Sequence, residues 1–288
     1  MKRNFREESI TDVLMASLVG LEPFGIRVDF PDEPTTGGDM EWIFAAPLEL
    51  NGGRYLRLIL QAKRAQFAKL KVGGYWYYHH LDHGTPAGHQ AQTLVGHATS
   101  AARGAAFPLY AFYHPTSALS GASGALPAIE GINLVFAQHI APIVKGGCGR
   151  AQKKVEHWRK HFMPLSDILC WPAELISDQA PDPANTTQLM VDGTQFDLPV
   201  MTGGFHPDIV AARLNSREFT ANATGGRRTQ KRIEAQVFDR IPAALRRAIA
   251  GEVTREDRMQ LKRPRAVLST RLRRDDPAFL QAQELSKR

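Results

Sequence analysis

The sequence predicts an α/β protein: a helix, a three-stranded meander, a second helix and a further strand, followed by a basic, mostly helical C-terminal region. Three observations carry this expectation. Ile10, Val13, Leu14, Leu18 and Leu21 recur at helical spacing. Residues 26–30, 39–46 and 55–64 read as strands, the last two joined across the hairpin signal Asn51-Gly52-Gly53. Lys and Arg concentrate beyond residue 226.

The elements follow in order. The first helix ends near Gly20, and Ile26-Arg27-Val28-Asp29-Phe30 alternates as a strand before the turn-rich stretch Pro31 to Gly38. The strands at Asp39 to Ala46 and Tyr55 to Arg64 are expected to be antiparallel neighbours. Gln90, Leu94 and His97 or Ala98 mark a helix over residues 89–102, and Pro108-Leu109-Tyr110-Ala111-Phe112-Tyr113 reads as a buried strand. Ile132 to Val144 is an apolar run open to either a strand or a helix, and Ala151 to Phe162 is a basic helical segment. Ile209 to Leu214 and Arg232 to Ile249 read as helical, with Arg255 onward as a mobile end. This divides the chain into a core with its extension over 5–172, a Pro-containing linker over 173–195 and a basic region over 196–288.

Composition bounds the function. The 288 residues, 43% hydrophobic and 23% charged, suffice for a substantial buried core. Cys148 and Cys170 have no paired spacing, which argues against a disulfide framework or a cysteine-rich zinc site and fits a reducing cytoplasm. Glu7, Glu8 and Asp12 occupy the place of a signal peptide's basic region, and no stretch approaches the roughly 20 apolar residues of a membrane span. A soluble cytoplasmic protein is expected. Residues 227–288 carry 17 Lys and Arg against 8 Asp and Glu, a net of +9, whereas residues 1–226 carry a net of −2. Such a tail suits a polyanion; its alternative is a solvated helical face or a flexible basic end.

Chemistry concentrates on two strands. Side chains alternate faces, so Asp39 and Glu41 share one face and Gln61 and Lys63 share one face, with Met40, Trp42, Leu60 and Ala62 turned away. Cleaving a phosphodiester needs a divalent cation to neutralise phosphate charge and acidify a bound water, with a positioned cation or base beside it. These residues supply both. At about 100° per residue Glu7 falls within the arc of Ile10, Leu14 and Leu18, and Glu8 at its border. A carboxylate there is costly unless paired or metal-bound, which favours Glu7 as a ligand; the alternative is that both acids favour the positive helix terminus.

Other constellations compete. His79 and His83 have i, i+4 spacing within a cluster that includes His80, Asp82 and His89, but no third zinc ligand is implied. Tyr75-Trp76-Tyr77-Tyr78 offers rings for base stacking or for a core. No phosphate loop, dinucleotide fingerprint or nucleophile elbow is present.

The ordered set of a helix glutamate, a hairpin bearing Asp39 and then Gln61-Ala62-Lys63, a helix and a strand resembles the PD-(D/E)xK restriction-endonuclease-like superfamily. In pattern it is nearest the Mrr-type and Holliday-junction-resolvase-like branches, the Gln form being Mrr-like. The blocks E-S-I-T-D, G-G-D-M-E-W, Q-A-K-R, G-H-Q and P-L-Y-A-F-Y also resemble an uncharacterised bacterial domain family. The resemblance covers roughly residues 5–115. It implies a restriction-endonuclease-like core in which Asp39 is the central metal ligand, Lys63 serves the attacking water and the Ala62 carbonyl adds a backbone contact. Mg²⁺ is the implied cofactor, with Mn²⁺ as substitute. Gln61 departs from the usual acid, and Glu41 is the acid expected to compensate, or else a partner of a nearby Arg or Lys. Gln90 resembles a supporting polar residue. Arg64, Gln90, Arg227, Arg228, Lys231 and Arg232 are the candidate nucleic-acid contacts.

The expected activity is DNA endonuclease, with a role in defence against foreign DNA by family habit. The alternatives are a non-catalytic nucleic-acid- or partner-binding protein that keeps the fold, and an RNA-cleaving toxin or effector. DNA stands ahead of RNA as partner, no membrane is expected, and a homodimer is the assembly to test.

Overall fold

The computed structural model describes residues 7–19, 26–27, 37–45, 54–100, 106–169, 186–191, 194–199, 207–222, 233–243, 246–247 and 265–269. Helices are α1 (Glu7–Val19), α2 (His89–Ala98), α3 (Ala137–Val144), α4 (Arg150–Lys153), α5 (Val155–Trp158), α6 (Leu165–Leu169) and α7 (Pro207–Asn222). Strands are β1 (Ile26–Arg27), β2 (Met40–Ala45), β3 (Tyr55–Lys69), β4 (Gly74–Tyr78), β5 (Phe107–Tyr113), β6 (Ile132–Phe136), β7 (Met163–Pro164), β8 (Thr186–Val191), β9 (Thr194–Pro199) and β10 (Arg265–Ser269). The main sheet is mixed and runs β1-β10-β2-β3-β5-β6-β7, with β4 paired to the far end of β3; β8 and β9 form a separate hairpin.

Strand parity builds three layers. Met40, Trp42 and Phe44 of β2, Leu56, Leu58, Leu60 and Ala62 of β3, and Phe107, Leu109 and Ala111 of β5 fill one face of the sheet. Met15 of α1 and Val210, Ala211 and Leu214 of α7 cover them. Ile59, Tyr110, Phe112 and Val135 on the opposite face pack beneath Ala91 and Leu94 of α2, Ile140 and Val144 of α3, and Trp158 of α5. Burying such side chains contributes about 1.5–3 kcal/mol each. Parallel β3 and β5 need a crossover, and α2 lies within it. Among the described residues no helix is long and apolar enough to cross a membrane.

Three expectations are corrected. The meander is not formed, because β10 lies between β1 and β2, antiparallel to the first and parallel to the second. The C-terminal region is not helical throughout: residues 233–242 are irregular or extended and 265–269 are a strand of the main sheet. The expected helix over Arg232 to Ile249 rests on Ile233, Val237 and Ile241 recurring every fourth residue, but over 233–242 other groups take up the backbone. Asn215 exchanges two hydrogen bonds with Ala235, Gln138 accepts from the Ile233 N–H, and Phe238 bridges Tyr55. Pro242 follows, lacking an N–H of its own.

Nor do the described parts of 196–288 stand apart from the core. Arg54, just before β3, holds Asp208 of α7 through two hydrogen bonds of 3.1 and 2.6 Å and reaches Asp239 at 2.6 Å. Of the expected linker, 173–185 lies outside the described residues, and the β8–β9 hairpin occupies most of the rest. The apolar run at 132–144 resolves into both alternatives, β6 followed directly by α3.

His114 makes the fold sensitive to acid. A carbonyl only accepts, so Nδ1 donates to the Glu130 oxygen at 2.9 Å, and Nε2 accepts from the Tyr78 hydroxyl at 2.6 Å. Burial pushes the His114 pKa down from 6.5 to about 4 and holds the Tyr78 hydroxyl well above its usual range. Burial lowers His161 to about 4 as well. Between these values the unfolded chain binds the extra proton, so the contribution of these histidines to stability is full above pH 6.5 and falls as pH drops toward 4. For His114 the expected loss is about 3 kcal/mol. Urea unfolding across this range checks it, with His114→Gln as reference; equal acid sensitivity in both proteins would remove His114 from the account.

Candidate active site

The route by which the chain enters β2 delivers the first site residue. Gly37 has φ +69°, and a Cβ there would sit 2.7 Å from the Gln90 carbonyl; one on Gly38 would sit 2.4 Å from Ile59 Cγ2. Only glycine passes so closely between α2 and β3. Asp39 follows, its N–H donating to the Leu60 carbonyl at 2.9 Å and so extending the β2–β3 ladder by one step.

Asp39, Gln61 and Ala62 form one closed polar unit. Asp39 Oδ2 accepts from the Ala62 N–H at 2.6 Å and from Gln61 Nε2 at 2.5 Å, and Gln61 Nε2 also approaches the Ala62 carbonyl at 3.2 Å. These two acceptors fix the amide orientation, since exchanging its nitrogen and oxygen would set oxygen against oxygen. Gln61 is 1% exposed, and its Oε1 is buried without a hydrogen-bond partner. Leaving an acceptor so costs about 1–3 kcal/mol. Lys63, 4% exposed, follows on the same face of β3, opposite Phe112 as Gln61 is opposite Tyr110. The register thus brings Asp39 to the face of Gln61 and Lys63, which follow on β3 just past the last β2–β3 pair, Met40 opposite Leu60.

Glu41 shares that face but is otherwise engaged. Both of its oxygens accept from Arg57, Oε1 from Nε and Oε2 from Nη2 at 3.2 Å. Both residues are buried. The register explains the pair: Arg57 lies opposite Ile43, diagonal to Glu41 on the same face. Of the two readings of Glu41, a compensating metal ligand or a partner of a nearby cation, this arrangement has the second, in a buried rather than a surface setting. Sequence reasoning passed over Arg57, although its odd number places it on the face of Gln61.

Glu7 opens α1, which packs on the opposite face of the sheet through Ile10, Leu14 and Met15; its side chain lies outside the described residues. Gln90 sits in the first turn of α2, buried, with its carbonyl against Gly37. Arg64 is half-buried at the point where β5 pairing ends. Arg227, Arg228, Lys231 and Arg232 lie outside the described residues. His79 and His83 belong to a turn and the loop after it rather than a helix, and His79 Nδ1 meets His80 Nε2 at 2.9 Å. Among the described residues no group of three His, Cys, Asp or Glu is arranged to hold a metal.

No curated protein and no solved structure matches the chain. One family model, described as a family of unknown function (DUF6615), matches residues 1–281. The match spans both the N-terminal strands and the C-terminal segment that returns β10 to their sheet. By a match over nearly its whole length, the chain belongs to the DUF6615 family.

Proposed function

We propose that this protein is a metal-dependent nuclease with a restriction-endonuclease-like core, acting on DNA. The observation that carries the reading is the juxtaposition of the Asp39 carboxylate with a buried Gln61 amide oxygen that lacks a partner, with Lys63 next on the same face. That oxygen fits a hard cation, and Asp39 and the Ala62 carbonyl would hold Mg²⁺ or Mn²⁺ together with Gln61 Oε1 once the amide turns its nitrogen away from both of them. When bound, the ion would neutralise phosphate charge and lower the pKa of a coordinated water.

The chain's own residues do the rest. Lys63 supplies positive charge and N–H donors to a water or a phosphate oxygen. The Ala62 N–H fixes the Asp39 carboxylate before substrate arrives, which lowers the reorganisation needed later. With Glu41 engaged by Arg57, one carboxylate remains in the unit, and Mg²⁺ typically uses one or two together with substrate phosphates. Metal and nucleic acid are therefore expected to bind cooperatively. Arg227, Arg228, Lys231 and Arg232 would add phosphate contacts from the basic C-terminal region.

A second reading, a non-catalytic nucleic-acid binder, is favoured by the same Gln61. A neutral amide satisfies Asp39 without metal, whereas a glutamate there would repel it. One experiment separates the readings: plasmid, linear duplex, single-stranded DNA and RNA, each with Mg²⁺, Mn²⁺ or EDTA. Metal-dependent cleavage of DNA is expected. Binding without cleavage under every condition would favour the second reading, and cleavage of RNA alone would move the substrate class.

A further inference from the structure

Beyond the site, β3 continues as an arm. Its pairing with β2 ends at Leu60 and with β5 at Arg64, whereas Ala65 to Lys69 pair only with β4, from Tyr78 to Gly74. Residues 65–78 therefore leave the sheet as a two-stranded hairpin. Its outer part carries Phe67, Leu70 and Val72 at 51, 49 and 90% exposure, three of the exposed large apolar residues among the described residues, with Val13, Leu119 and Leu126 elsewhere. The Phe67 ring lies 5.1 Å from Trp76, centroid to centroid, and closes over Gly74, where a Cβ would meet it at 2.2 Å. On the other face of the hairpin Tyr75 and Tyr77 meet edge to face at 5.9 Å, and Lys154 Nζ sits 4.9 Å from the Tyr75 centroid.

Charge selects the occupant. The arm, residues 65–78, carries Lys69 and Lys71 at its tip and no Asp or Glu. Two such arms facing one another would repel, which disfavours a second copy. Parity then links arm and site: Gln61, Lys63, Ala65, Phe67 and Lys69 share one face of one strand. Phe67 stands about 13 Å along the strand from Lys63, at about 3.3 Å per residue.

We infer that the β3–β4 arm binds single-stranded nucleic acid, or unpaired bases at a junction or end, stacking a base on the Phe67–Trp76 pair and contacting its phosphates through Lys69 and Lys71. A duplex keeps its base faces covered, so stacking on an exposed ring requires an unpaired segment. The arm would hold the strand while the backbone passes the Lys63 face. The choice of nucleic acid rests on the nuclease reading, so the test measures binding, not cleavage.

Binding of short labelled single-stranded DNA and RNA, and of a duplex of the same length, is titrated in EDTA with the full chain, Phe67→Ala, Phe67→Tyr and Lys69→Ala/Lys71→Ala. Phe67→Ala is expected to weaken single-strand affinity roughly 5- to 150-fold, with Phe67→Tyr restoring it. The lysine pair should lower the log-log salt slope by about 1.4. A preference for DNA or RNA identifies which single strand is taken. Unchanged single-strand affinity in both Phe67→Ala and the lysine variant overturns the inference and leaves the nuclease reading standing. Phe67-dependent sedimentation with anionic phospholipid vesicles, or Phe67-dependent self-association, with no single-strand binding also overturns it. Unfolding curves matching wild type confirm that exposed Phe67 is tested rather than the hairpin.

Discussion

Asp39→Ala and Lys63→Ala are each expected to abolish metal-dependent cleavage while leaving a folded protein. Among the described residues Asp39 supplies the carboxylate of the Gln61–Ala62 unit, and Lys63 is the cation next to Gln61 on that face. A loss of about 10²-fold or more follows if Asp39 holds the ion and Lys63 the water. Glu41→Gln is expected to differ in kind. It removes the charge opposing buried Arg57, at a cost of about 3–5 kcal/mol in stability. Gln61→Glu restores a common ligand and is expected to preserve or raise activity. Rates with each variant, beside their unfolding midpoints, check the set. Full cleavage by both Asp39→Ala and Lys63→Ala would remove the site from this face.

Deleting residues 227–288 is expected to destroy the fold rather than merely weaken nucleic-acid binding. The deletion removes β10, which pairs with β2 from Arg265 opposite Glu41 to Ser269 opposite Ala45. It also removes Ile241, packed with Ile43 and Tyr55, and Ala235, packed in the core beneath α7. β2 is buried along its whole length, so losing its neighbour uncovers a long apolar edge of the kind that pairs with other chains. The soluble yield should collapse and cooperative melting should disappear. A soluble truncated protein with an unchanged melt would show that β10 is dispensable.

The sequence carried local pairing well and remote pairing poorly. Alternation at 39–46 and 55–64 identified β2 and β3 and put Asp39 with Glu41 and Gln61 with Lys63, because parity is set by adjacent residues; that the two pairs meet on one face is set by register, Met40 opposite Leu60. β10 escaped notice because its apolar centre, Ala266-Val267-Leu268, is short and follows Lys262-Arg263-Pro264-Arg265, which reads as a charge run. Its partners are distant in sequence and leave no periodic mark. The Glu41–Arg57 pair depends on register, so residue types alone could not choose it. Ile233, Val237 and Ile241 did carry a burial signal: Ile241 is buried and the other two pack against the core, but from an extended segment.

The position of β10 also sets an order of events during synthesis. Strands β2, β3, β5 and β6 emerge from the ribosome and can pair among themselves, yet the outer side of β2 waits for residues 265–269, made after most of the chain. Closing so long a connection carries a large entropic cost and slows folding. Until then the nascent chain presents an open apolar edge to its neighbours on a polysome, so holding that edge apart is a task for chaperones.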